Sequence, residues 1–195
     1  MTFASSDYVP VALGFFGLGT GYLIWGPQEL FVFPKRDAQV DRAEGVWGLF
    51  LPGLCQVVTG VILFIGLTWF QVFKNDPPLY MAAVAFTAYG IHWFALGWNR
   101  YQGNGVKTNV GMGIAFTVLS ATGAFVFFTA GAWAVGVLFV GLTLIYLAEI
   151  GVGGGLGAAW ERTLGLFHTA TGLWLMYLTV AEILNLTNGS NLPSG

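Results

Sequence analysis

Charge is what this sequence has least of. Asp, Glu, Lys and Arg make up 8% of its 195 residues, where a soluble domain carries about a quarter, so water is not its main solvent. The near balance of 7 Lys and Arg against 9 Asp and Glu contains no basic or acidic block, which excludes the electrostatic footprint of a nucleic-acid partner. Cysteine is almost absent: Cys55 alone makes no internal disulfide and no thiolate cluster for a metal. Histidine is limited to His92 and His168, too few for a metal set or for paired axial haem ligands. A nucleophile with its base, or paired carboxylates facing one cavity, cannot be assembled either. An enzyme is therefore not expected and no cofactor is implied. The opening MTFASSDYVP lacks the basic region of a cleavable leader, so the first apolar run is expected to stay in the mature protein.

What is present is apolar. Hydrophobic residues reach 56% and the mean hydropathy is +0.72. A bilayer core of about 30 Å needs about 20 apolar residues in a helix, and a helix satisfies its own backbone in lipid. Six stretches meet that length, at 9–25, 46–73, 79–101, 110–129, 132–152 and 163–186. The expected fold is an all-α integral membrane protein whose six transmembrane helices form one bundle per protomer. Residues 1–8 and 187–195 are tails around a single domain at 9–186. The charges fall in the connections FPKRDAQVDRAE, KNDPP, NRYQGNGVK and GGGLGAAWER. Only Ala130-Gly131 separates the fourth and fifth stretches, which predicts antiparallel neighbours.

Glycine, at 29 residues, lies largely inside the spans, as in Gly14, Gly17, Gly21, Gly53 and Gly60. Small residues let helix backbones approach closely in lipid, and widening of a pore is the sharper alternative. The run Gly151-Val152-Gly153-Gly154-Gly155-Leu156-Gly157 is no phosphate loop, since no strand precedes it and no Gly-Lys-Ser/Thr follows.

Ionisable groups within a span are costly in hydrocarbon and are functional candidates for that reason. His92 sits mid-span, Glu149 near the end of the fifth stretch, His168 early in the sixth and Glu182 near its exit. His92 and Glu149 are the candidate proton-coupling groups. The competing readings are a neutral histidine bonded to a neighbouring helix and an interfacial carboxylate. The uncharged polar set Thr20, Gln56, Thr59, Thr87, Thr117, Ser120 and Thr122 fits helix-to-helix hydrogen bonds. It fits equally a pore for a small, weakly polar solute with aromatic constrictions.

Several motifs run in order along the chain. Phe86-Thr87-Ala88-Tyr89-Gly90 followed by Trp93 resembles the F-T-S-Y-G-x-x-W of the acetate uptake transporter family. Gly53-Leu54-Cys55-Gln56 with Gly60 is similar to its G-x-x-Q-x-x-x-G. Gly141-Leu142-Thr143 and the C-terminal Tyr177-Leu178 with Ala181-Glu182-Ile183-Leu184-Asn185 match two more. The resemblance implies a six-helix protomer, commonly assembled as a homo-hexamer in the lipid of a microbial plasma membrane. Each protomer then has its own pore for acetate and related small monocarboxylates, passed as anion or with a proton. It implies a constriction at Phe16, Tyr89 and Leu142, where an apolar collar disfavours hydrated ions. It implies a pathway past Asp7, Pro10, Thr20, Gln56, Thr87 and Trp93.

The chain departs from the family in three places. The N-terminal N-P-A-P-L-G-L stands here as Asp7-Tyr8-Val9-Pro10-Val11-Ala12-Leu13, and an aspartate repels acetate unless protonated or turned away. The segment between Gln56 and Phe86 is longer and lacks the polar E-x-x-x-G-N-T. Cytoplasmic loop charges of the bacterial members are nearly absent. Lys35, Arg36, Arg42, Arg100, Lys107 and Arg162 lie at one end of the bundle and Lys74 alone at the other. The positive-inside rule then puts both termini outside, whereas the family implies termini inside. A different small solute on the same scaffold, and a non-transporting membrane subunit of a larger complex, are the alternative functions.

Overall fold

The structure is a computed structural model, and it describes residues 4–194. Among these the chain forms α1 (Val11–Phe31), α2 (Ala38–Gly48), a π-helical turn (Leu49–Leu54), α3 (Cys55–Thr68), α4 (Leu79–Gln102), α5 (Asn109–Thr129), α6 (Trp133–Gly153) and α7 (Ala158–Asn188). α2, the π turn and α3 run on as one 31-residue rod, Ala38–Thr68, so the bundle has six rods. Five of them are long and apolar enough to cross a membrane. α1 falls short of that measure because its body is rich in glycine and its last turns carry Trp25-Gly26-Pro27-Gln28-Glu29. It is nevertheless central, with Gly14, Phe15, Leu18, Tyr22 and Trp25 buried against its neighbours.

The element boundaries have local causes. Asp37 caps α2, its carboxylate accepting from the Gln39 and Val40 amides at 2.8 and 2.9 Å, which satisfies two of the orphan donors of a helix start. Pro77 and Pro78 precede α4, where a missing amide costs nothing. Gly103 and Gly189 end α4 and α7 in the left-handed conformation, with φ of 71° and 70°, which glycine adopts without a Cβ clash. Pro52 sits inside the π turn. Its carbonyl accepts the Gln56 Nε2 at 3.0 Å, which gives that buried amide a partner within the rod.

α1 packs most extensively along α7 and also meets α3; α7 packs on α6 and α6 on α5; α4 packs on α2 and α3 and touches α5 along a thin seam. The rods therefore close a ring in the order α1, α7, α6, α5, α4, α3. α5 and α6 are neighbours across the tight turn at Ala130, as the short connection requires. Glycines set the closest approaches: a Cβ on Gly97 would lie 2.6 Å from the Gly45 carbonyl oxygen, and one on Gly90 would lie 2.7 Å from the Val57 amide nitrogen. At these points α4 packs directly on the backbone of the long rod.

Candidate functional site

Two cavities enter the ring from opposite ends. The larger, about 630 Å³, opens among the N-terminal tail, the α3–α4 loop, the α5–α6 turn and the C-terminal tail. Asp7, Asp76 and Glu182 stand in its lining, and Phe15, Leu18, Tyr89 and Leu142 line it further along α1, α4 and α6. Among the described residues, no Lys or Arg belongs to that lining. Partial burial pushes the Asp76 carboxyl above the ordinary aspartate range, because desolvation disfavours its charged form. The smaller cavity, about 90 Å³, lies at the other end and is lined by Trp25, Glu29, Arg36, Arg100, Glu149 and Glu161 among others.

Between the two cavities the ring is filled by aromatic side chains. Tyr22 lies 5.7 Å from Trp93 and stacks on His168 at 4.7 Å. Tyr146 lies 5.7 Å from Tyr89 and 5.1 Å from Phe116. Tyr89 and Ser120 share a hydrogen bond of 2.9 Å across the thin α4–α5 seam. The His92 Nδ1 and the Tyr146 hydroxyl are 3.3 Å apart. Tyr22, Tyr89, Trp93 and Tyr146 are each no more than 2% exposed. The result is an hourglass with a closed aromatic and aliphatic neck.

Of the three residues expected to form a constriction, Tyr89 and Leu142 line the larger cavity and are 2% and 1% exposed. Phe16 does not join them. It is 45% exposed on the outer face of α1, whereas Phe15 is 4% exposed, lines the cavity and lies 5.6 Å from Phe86. Adjacent residues on a helix point about 100° apart, so a one-residue shift within Gly14-Phe15-Phe16-Gly17 exchanges inside for outside. Thr20, one turn on from Phe16, bonds back to the Phe16 carbonyl at 2.7 Å and lines neither cavity.

The remaining candidates separate as clearly. Asp7 lines the larger cavity. Pro10 starts α1, and its carbonyl accepts the Thr59 hydroxyl at 3.4 Å. Gln56 is fully buried in the α3 interface. Thr87 bonds to the Ala83 carbonyl at 2.8 Å and packs where Gly60 leaves room. Trp93 belongs to the neck, 4.7 Å from Trp25. His92 is buried beside Phe116 and lines neither cavity. Glu149 lines the smaller cavity.

Two charged groupings were not readable from spacing. Glu29 lies within the last turns of α1, and its carboxylate is 2.6 Å from the His168 Nδ1. Arg100 pairs with Glu44 and lies 3.3 Å from Asp41, close enough for ion pairing though not aligned as hydrogen bonds. Its guanidinium also sits 4.4 Å above the Trp25 ring. Arg36 binds Asp41 at 3.0 and 3.2 Å, and Gln28 donates to Glu44 at 3.0 Å. This network ties α1, α2 and α4 together at the smaller cavity. Its one sequence signal is the four-residue rhythm of Asp37, Asp41 and Gly45 in a segment otherwise polar enough to pass for a loop.

These features define an all-helical integral membrane protein entered by cavities from both ends. Among solved structures the chain is similar to a bacterial acetate channel, SatP, with a TM-score of 0.76 and 22% identity, covering 97% of this chain and 100% of that one. SatP is a member of the acetate uptake transporter family, so the fold agrees with the resemblance carried by the motifs. No family model matches the chain, and no curated protein does.

Proposed function

We propose that the chain conducts acetate and related small monocarboxylates across the plasma membrane of a microbe, as a homo-hexamer in which each protomer holds its own pathway. The observation that carries this reading is the hourglass itself, two cavities meeting a closed neck in a fold similar to an acetate channel's. Phe15, Leu18, Tyr89 and Leu142 supply an apolar wall that suits a methyl group and excludes a hydrated ion. Charged solutes face a desolvation cost in such a wall. The acidic lining of the larger cavity adds repulsion for an anion, which favours passage with a proton. Of the two candidate coupling groups, Glu149 is the better placed, because it lines a cavity while His92 is held in the neck.

Radiolabelled acetate uptake into proteoliposomes, at two external pH values and with or without an imposed potential, tests the reading. Saturable uptake well above that of empty liposomes is the expected outcome. Uptake equal to empty liposomes rejects transport of acetate and leaves another solute or an accessory role.

A further inference from the structure

Glu149 is set apart from the other carboxylates packed inside its end of the bundle, Asp41, Glu44 and Glu29. Asp41 and Glu44 pair with arginines and Glu29 pairs with His168. Glu149 is 8% exposed, and one of its carboxyl oxygens is buried without a hydrogen-bond partner. No ion pair compensates it among the described residues. A bare carboxylate in such surroundings is expensive, whereas a carboxyl holding a proton is not. The same side chain lines the 90 Å³ cavity. A cavity of that size suits a small solute such as a carboxylic acid of two or three carbons.

We infer that the smaller cavity is a binding site for a small carboxylic acid, held by an O–H···O bond in which Glu149 and the solute share one proton. The inference rests on the transport reading above for the class of solute. Two carboxyl groups with one proton between them carry a single negative charge, and no bond to carbon changes. The guanidinium groups of Arg36 and Arg100 in the same lining attract that charge, while Asn99, Asn104 and Asn109 offer amide groups to the second solute oxygen.

The charged and titratable surroundings of Glu149 come from every side. α1 brings Tyr22 and Glu29, α7 brings Glu161 and His168, α4 brings Arg100, α6 itself brings Tyr146, and the α1–α2 connection brings Arg36; His92 stands one contact further off, against Tyr146. α5 has no titratable residue and contributes Asn109. Because Glu29 and His168 already share a short hydrogen bond, Glu149 is the one acid of the buried group left to exchange a proton with a solute.

Infrared difference spectra of the full-length protein in detergent, recorded on adding acetate labelled with carbon-13 at the carboxyl, test the site without any variant. A protonated-carboxyl band that responds to acetate but does not shift with the solute's label belongs to the protein, and its loss in Glu149→Gln assigns it. In proteoliposomes, at pH values where both Glu149 and free acetate are ionised, the KM for acetate should rise about tenfold per pH unit in the wild type, the slope for one shared proton. That dependence should flatten in Glu149→Gln and return in Glu149→Asp. Acetate uptake without the band, or an unflattened profile in Glu149→Gln, overturns the site and leaves transport standing. Neither band nor uptake removes both.

Discussion

At the level of single residues, inside and outside are decided by one position. Phe15 and Phe16 are chemically equivalent and adjacent, and only the rotation of α1 against α7 and α3 sends one to the cavity and the other to the outer surface. Phe15→Ala should therefore change acetate flux in proteoliposomes by severalfold, while Phe16→Ala should stay within about twofold, since a side chain off the pathway does not set a pore's selectivity. Equal effects would return the constriction to the register that the motif alone implies. Tyr89 and Leu142 could be picked out beforehand because each stands in a motif with no equivalent neighbour. Glu29 could not, because Gly26-Pro27 reads as the end of a helix that in fact continues to Phe31.

The buried ion pairs support a sharper stability test. Arg100 and Glu44 side chains are 8% and 6% exposed. Removing one partner of such a pair leaves the other charge uncompensated, which costs about 3–5 kcal/mol. Glu44→Ala should lower the unfolding temperature in detergent markedly, and the double replacement Glu44→Leu with Arg100→Met should recover much of the loss. A Glu44→Ala protein as stable as the wild type would show that the pair is solvated. At the other end, Asp76 has a raised pKa when folded because of burial. Such a group contributes stability that is present below its unfolded pKa and lost as pH rises through the folded value. Asp76→Asn should accordingly be more stable than the wild type near pH 7, with the difference closing toward pH 3, as followed by thermal unfolding across pH.

Among the elements, the long rod Ala38–Thr68 departs most from a reading of the sequence alone. Hydropathy locates its apolar half, but Asp41, Arg42 and Glu44 make the first half look like a connecting loop. The helix forms because Asp37 caps it and because Arg100 of α4 and Gln28 of α1 compensate its carboxylates. Those partners are about 16 to 60 residues away in the chain, beyond the reach of any periodicity argument. What locks the rod to α4 is the mutual approach of Gly45 and Gly97, where a Cβ on either would lie 2.6 Å from the other's carbonyl oxygen. Gly97→Val should push the helices apart and cost about 1–3 kcal/mol, the usual range for overpacking. The same change at Gly111, where an added Cβ meets nothing within 4 Å, should be nearly silent in thermal unfolding. Equal losses at both positions would mean that the Gly45–Gly97 contact does not set the cost.

For the whole molecule, the number of rods follows from hydropathy and chain length, whereas their order around the ring does not. The seam between α4 and α5 shows why: consecutive helices touch there only thinly, and α1 instead packs on α7 from the far end of the chain. Orientation is a further property of the whole. Arg100 is buried in its ion pairs and contributes little to the charge facing the membrane surface. Lys35, Arg36, Arg42, Lys107 and Arg162 still outnumber Lys74 across the bundle. Short loops rich in Lys and Arg tend to be retained in the cytoplasm, and on that rule alone the smaller cavity is expected to face the cytoplasm and the larger, acidic one the outside. In intact cells, a membrane-impermeant maleimide should label a cysteine at Ser6 and should reach one at Lys107 only after permeabilisation, with Cys55 replaced by Ala. The opposite pattern would put the termini inside, as in the family implied by the motifs. A solute entering from outside would then meet Glu149 before the neck.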